Sequence, residues 1–185
     1  GAVVKDLKDD SKIYGSPISR DNCLKIIDIL QSHDVYFHFY SEDTIYGEKL
    51  ARTMLYFSEL GKTLKEEERI KIEVVKDSKE VIDRGEIIYK FGFKLDDYKL
   101  LEEISSQIAS EVEVEVYKSL HNMVDIMNVG VAKGEAVKRL ADSLGIKREE
   151  VIAIGDNHND ISMLEYAGLG IAMGNADEKV KEVAD

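Results

Sequence analysis

Cysteine, proline and tryptophan are almost missing from this chain. Its 185 residues hold one cysteine, one proline and no tryptophan. A single thiol, Cys23, excludes an internal disulfide framework and fits a reducing cytoplasm. It sits in a helical pattern and reads as a small apolar residue. The one proline, Pro17 in Gly15-Ser16-Pro17, marks a turn and leaves no proline-rich linker. No apolar run nears the roughly 18 residues of a membrane span, and the N-terminus lacks a basic-then-apolar signal pattern. Positive charge is also short: 25 Lys and Arg stand against 37 Asp and Glu, a formal net charge of -12. That balance argues against nucleic acid and anionic membrane as partners, because both need a basic face. A small anionic substrate stays open, since it needs only a local cation.

What is present describes an ordinary folded protein. Apolar residues make up 44% and charged residues 34%, so the chain can bury a core. Its length suits one sizeable domain or two small ones. Val3–Val4 and Ile13–Tyr14 flank a polar stretch and predict a hairpin. Ser19 can cap a helix reaching about Ser32. Strands are expected at Val35–Tyr40, Lys71–Val75 and Glu86–Phe93, and helices over 47–59 and Ser78–Asp83. Asp96 can cap a helix through Leu100, Leu101, Ile104 and Ile108. Val112, Val114 and Val116 alternate with glutamates, the pattern of a half-exposed strand. Val124–Met127 predicts another strand.

After that the texture changes. Gly134–Leu144 predicts a helix closed by Gly145. The continuous apolar run Val151–Ile154 predicts a strand buried on both faces of a parallel sheet. A helix over about Asn159–Ala167, a strand over Gly168–Met173 and a helix over Asp177–Ala184 follow. Residues 1–125 therefore read as α+β, and residues 126–185 as part of a doubly wound parallel α/β unit. Three strands or fewer is only half of such a sheet.

The chemistry gathers where the Val151–Ile154 strand ends. Open parallel sheets bind ligands beyond the C-terminal ends of their strands. Asp156 stands there after Gly155, and a carboxylate at that place suits Mg²⁺, which takes one or two carboxylates and bridges to phosphate oxygens. Asn159 and Asp160 add an amide and a second carboxylate at the opening of the next helix. Capping and a plain surface loop are the competing readings of these residues. Lys133, at the start of the preceding helix, can reach the same rim and neutralise a phosphoryl group. His158 reads as an exposed loop residue.

These residues carry a family resemblance. Lys133-Gly134, the run from Ile146 to Asp156, Asn159-Asp160-Ile161, Met163-Leu164 and the continuation Ala167–Ala176 together resemble the haloacid-dehalogenase superfamily. The branch they resemble is the Cof-like sugar phosphatases. The match is dense over roughly residues 128–185. Over the first part it is similar in element order to that family's large C2-type cap. The resemblance implies a partial Rossmann-like core at 126–185 joined to an α+β cap at 1–125. It also implies a Mg²⁺-dependent phosphohydrolase of small phosphorylated metabolites, working through an aspartyl-phosphate. Carried over by position, Asp156 is the Mg²⁺ ligand, and Lys133 and Asn159 bind the substrate phosphate. Asp160 is the carboxylate behind Lys133 or a metal-bound water.

One departure stands out. The family's Asp-x-Asp-Gly-Thr motif matches none of the chain's aspartates, so the nucleophile is expected outside these residues and the chain alone is expected to be inactive. Two other readings follow: a phosphosugar mutase of the same architecture, and a non-catalytic binding domain. Substrate choice is expected from the cap. Ser41, Asp43, Thr44 and Tyr46 are candidate contacts there, and Phe91-Gly92-Phe93 reads as sheet packing.

Overall fold

The structure is a computed structural model that describes the backbone of residues 1–185 and every side chain except those of residues 119 and 120. In chain order the elements begin with the strands β1 (Val3–Lys5) and β2 (Lys12–Gly15), then helix α1 (Arg20–Ser32). Strands β3 (Phe37–Tyr40) and β4 (Thr44–Gly47) lead to helix α2 (Arg52–Gly61). β5 (Lys71–Val74), α3 (Ser78–Asp83), β6 (Lys90–Lys94) and α4 (Tyr98–Glu111) follow. Next come β7 (Glu115–Leu120), β8 (Met123–Met127), α5 (Lys133–Leu144) and β9 (Ile152–Gly155). The chain closes with α6 (Ile161–Tyr166), β10 (Leu169–Ala172) and α7 (Glu178–Glu182). They form two compact units, one of residues Pro17–Val129 and one of Gly1–Ser16 with Gly130–Asp185.

The unit Pro17–Val129 is built on a six-stranded sheet in the order β5-β4-β3-β6-β8-β7. The β4–β5 pair is parallel and the other neighbours are antiparallel. Period-two alternation sends Phe37, Phe39, Phe91, Phe93, Val124 and Ile126 to one face. There they pack with Ile26, Ile27 and Leu30 of α1, Val81 and Ile82 of α3, and Leu101, Ile104 and Ile108 of α4. Phe39 and Phe91 stack with ring centroids 5.1 Å apart, so Phe91 and Phe93 are packing residues, as their alternation implied. Ser19 caps α1 as expected, its hydroxyl accepting from the Asn22 N–H at 3.3 Å.

Three local expectations are corrected in this unit. Asp97, not Asp96, caps α4 and takes the N–H groups of Lys99 and Leu100, while Asp96 accepts from the Asn122 amide. Thr44–Gly47 is a strand where no element was expected, because a tight turn (Ser41 N–H to Thr44 C=O, 3.0 Å) folds it back on β3, and it takes in Gly47, the first residue of the helix expected over 47–59. The helix then begins at Arg52. Finally, β8 lies between β6 and β7, antiparallel to both, in this six-stranded sheet and does not open the parallel pair of the other unit.

The other unit has two small sheets, the antiparallel hairpin β1–β2 and the parallel pair β9–β10. The hairpin was expected to go with the residues up to 125. It instead packs with α5, where the Arg139 guanidinium lies 5.5 Å from the centre of the Tyr14 ring. α5 ends as expected at Gly145, whose φ of 68° is the left-handed cap that glycine adopts without strain. Ala153, Leu164, Ala167, Ala176 and Val180 make a small core.

The expectation that both faces of Val151–Ile154 would be buried does not hold. Ala153 faces the core, but Ile152 and Ile154 are 64% and 56% exposed. Leu169 and Ile171 beside them are also exposed. The helices cover one face of the strand pair, and alternation turns the branched residues to the other. No helix among the described residues is long and apolar enough to cross a membrane.

Candidate functional site

Within the unit of Gly1–Ser16 and Gly130–Asp185, the parallel pair sets one rim. Its register places Gly155 opposite Ala172, so the loops after β9 and β10 leave the sheet side by side. Asp156 follows the first strand and Asn175 lies in the loop after the second. The Asn175 amide donates to Asp156 Oδ2 at 3.0 Å, and the Asn157 amide donates to Asp156 Oδ1 at 3.1 Å. Both carboxylate oxygens are therefore oriented by neutral donors.

Asp160 is the hub behind that rim. It is 4% exposed. Its Oδ2 accepts from the backbone N–H groups of Asp156 and Asn157, each at 3.0 Å. Its Oδ1 pairs with the Lys133 ammonium. Burial pushes the Asp160 carboxyl upward, but the Lys133 ammonium and the two backbone donors outweigh it and hold the group below the ordinary carboxylate value. Asp160 thus stays ionised at neutral pH and fixes both the Asp156 loop and the lysine.

Two glycines make this geometry possible. A Cβ on Gly155 would lie 2.4 Å from the Asp160 Cβ, so only a bare backbone lets the strand end meet that side chain. A Cβ on Gly134 would lie 2.2 Å from the Ser162 carbonyl oxygen. The Gly134 N–H instead donates to the Ser162 hydroxyl at 3.0 Å. That contact draws the first turn of α5 onto α6 and brings Lys133 to Asp160.

The structure therefore joins Lys133, Asp156 and Asp160 in one bonded set. Asn159 lies exposed on the same short turn, which runs from His158 to Asp160. His158 is also exposed and pairs with Asp177 at 2.6 Å, the residue that caps α7. Sequence reasoning passed over Asn175 and Ser162 as site residues. Asn175 had a usable signal, because it follows the neighbouring parallel strand as Asp156 follows its own. Ser162 had none, since a helical serine beside a glycine 28 residues away leaves no mark in the pattern.

The donor set suits a hydrated Mg²⁺ rather than a caged one. Among the described residues there is no group of three or more His, Cys, Asp or Glu that could hold a metal ion, so an all-protein cage is out of place here. A hydrated Mg²⁺ asks for less, one or two carboxylates plus waters and phosphate oxygens. Asp156 fits that role. Each of its oxygens takes one neutral amide and keeps further lone-pair capacity.

Comparison with known proteins places this geometry in company. The family model for haloacid dehalogenase-like hydrolases matches residues 1–185. The chain is similar to the pyridoxal phosphate phosphatase YbhA of Escherichia coli, 31% identical over 185 residues, covering 100% of the chain and 68% of that protein. It is also similar to the 5-amino-6-(5-phospho-D-ribitylamino)uracil phosphatase YitU of Bacillus subtilis, 28% identical, covering 100% of the chain and 67% of the relative. A solved haloacid dehalogenase-like hydrolase of B. subtilis superposes with a TM-score of 0.80 at 26% identity, covering 100% of this chain and 70% of that one. The chain thus spans about two thirds of the length of these relatives.

Proposed function

The chain belongs to the haloacid dehalogenase-like hydrolases, and from that premise we propose that Lys133, Asp156, Asn159 and Asp160 form the phosphate- and Mg²⁺-holding part of a phosphatase. Its substrates are small phosphorylated metabolites, as the names of its phosphatase relatives state for them. The observation that carries this reading is the Lys133–Asp160 pair hydrogen-bonded through the Asp156 backbone to the strand end that bears the Asp156 carboxylate.

The roles follow from the chemistry. Asp156 binds the metal, with its rotamer set by Asn157 and Asn175. When bound, Mg²⁺ supplies positive charge to the phosphoryl oxygens. Lys133 adds a second cation, held by a carboxylate that does not itself face the substrate. The exposed Asn159 amide donates to the phosphate. Hydrolysis runs through an aspartyl-phosphate. None of these four residues is its nucleophile, because Asp156 and Asp160 are both committed to holding charge.

Titration of the protein with inorganic phosphate tests the reading. Binding is expected to need Mg²⁺ and to weaken by about tenfold or more in Lys133→Met and Asp156→Asn, a loss of about 1.4 kcal/mol. Phosphate affinity indifferent to chelator and to both substitutions would sink it.

A further inference from the structure

We propose that the cavity between the C-terminus of α1 and the end of β4 is a binding site for a free amino acid with an aliphatic side chain. Asp34 and Glu48 take its ammonium, and Lys49 takes its carboxylate. This inference goes beyond the phosphatase reading and does not rest on it. Every residue lining the cavity lies in the unit Pro17–Val129, and none is Lys133, Asp156, Asn159 or Asp160.

The cavity has a volume of about 240 Å³. That is room for a molecule of roughly eight to ten heavy atoms, taking a water's share of the liquid as the measure. It lies where the parallel β4–β5 pair ends, and Glu48 follows β4 directly. The C-terminal ends of parallel strands are where sheets leave room for ligands.

Asp34 sits where a glycine is expected. α1 closes in a Schellman turn, with the Asp34 N–H donating to the Gln31 carbonyl at 3.0 Å and the Val35 N–H to the Leu30 carbonyl at 3.4 Å. Asp34 takes the left-handed position of that turn, with a φ of 49°, which glycine fills without strain. Its charge is also of the wrong sign there, because the carbonyl end of a helix favours cations. The last turn of α1 holds no basic residue to compensate. Two local costs thus fall on one side chain, and among the described residues its carboxylate has no partner. A cation from outside offsets the second cost.

Glu48 is fixed in place on the other wall. Its Oε1 accepts from the Gln31 amide at 2.8 Å and from the Ser78 N–H at 3.0 Å. Its Oε2 has no such bond among the described residues, so it is the oxygen left for a ligand. Lys49 comes next and is exposed.

The chemistry selects the ligand. Two carboxylates disfavour a simple anion, and a simple amine leaves Lys49 unused. A zwitterion meets both signs within one small molecule. Val35, Tyr36 and Phe37 supply an apolar wall for its side chain. The Tyr36 hydroxyl already donates to the Ala51 carbonyl at 2.7 Å, so Tyr36 offers its ring rather than a free donor. A ring beside carboxylates suits both an ammonium and an aliphatic group.

The test is NMR titration of the full 185-residue chain with L-leucine. Two analogues run beside it: isoamylamine, which lacks the carboxylate, and isocaproate, which lacks the ammonium. Saturable binding of L-leucine is expected, with each analogue weaker by about tenfold or more. Asp34→Gly and Lys49→Met are each expected to weaken L-leucine by about tenfold. Asp34→Gly removes the carboxylate and relieves the turn, so it is expected to melt no lower than the parent chain, which separates lost binding from lost folding. Lys49→Met changes an exposed side chain and provides the second variant. Absence of saturable L-leucine binding overturns the inference. So does either analogue binding as tightly as L-leucine, or unchanged L-leucine affinity in Asp34→Gly.

Discussion

Asp160 holds Lys133 with one carboxylate oxygen and the backbone of Asp156 and Asn157 with the other. Removing either partner has a different effect. Asp160→Ala strips two backbone donors and leaves a lysine without its counter-charge, and we expect a loss of about 2–4 kcal/mol in urea unfolding. Lys133→Met is expected to cost only about 1 kcal/mol, because the lysine side chain is 43% exposed and screened. Its larger effect falls on phosphate binding. Equal destabilisation by the two would contradict this division. Because the Asp160 carboxyl lies below its ordinary 3.8, its contribution persists above that pH and is lost as acid takes the protein lower.

Gly134 and Gly145 make a matched pair for testing close approach against backbone freedom. Gly134→Ala puts a methyl 2.2 Å from the Ser162 carbonyl oxygen, so two helices must part. We expect a loss of about 1–3 kcal/mol or more, with weakened phosphate binding because Lys133 moves away. Gly145→Ala meets nothing within 4 Å and keeps only the strain of a φ of 68°, costing about 1–2 kcal/mol with phosphate binding unaffected. Thermal melts and phosphate titrations of both variants separate the two effects.

His38 makes stability depend on mildly acidic pH. Its folded pKa is pushed from 6.5 down to about 4. Between those values the unfolded chain binds a proton that the folded chain refuses. Stability is therefore full above the upper value and falls as pH drops towards the lower one, by up to about 3 kcal/mol. Melting followed across this range should show the fall, and His38→Asn should flatten it. An equal slope in the variant would assign the effect elsewhere.

Cys23 should be inert while the protein is folded. It is buried, its thiol points at the Ile18 carbonyl oxygen at 3.7 Å, and burial raises its pKa to about 12. The thiolate is the reactive form. Iodoacetamide at mildly alkaline pH is expected to leave the native protein unlabelled and to modify it fully in urea. Mass spectrometry reads the outcome, and rapid native labelling would mean that α1 opens readily.

Much of the fold was legible because local chemistry and tertiary demand agree. Ser19 caps its helix, Gly145 closes its own, and the alternating valines before β7 and the apolar residues of β8 lead into strands. The misses came where a partner distant in sequence decides. Thr44–Gly47 is a strand because β3 and β5 flank it. The hairpin of Val3–Lys5 and Lys12–Gly15 joins α5, more than a hundred residues later. Ile152 and Ile154 look buried by hydropathy, but alternation turns them from the helices. At the candidate site, Asp156 and Asp160 were singled out by residue type after a strand end and Lys133 by its place at a helix start, and the structure brings the three together. The amide clamp of Asn175 and the glycine contact at Ser162 depend on register and helix approach, which residue type does not encode.

The Gly155–Ala172 register has a consequence in time as well as in space. The Asp156–Asn175 bond links residues 19 apart, and the Lys133–Asp160 pair links residues 27 apart. Neither can form within a single helix or hairpin. The first waits for a parallel pairing closed through a crossover, which is among the slower events in folding, and the second for α5 to dock on α6. In refolding, helical signal should therefore return first, and affinity for phosphate should arrive only with the last phase.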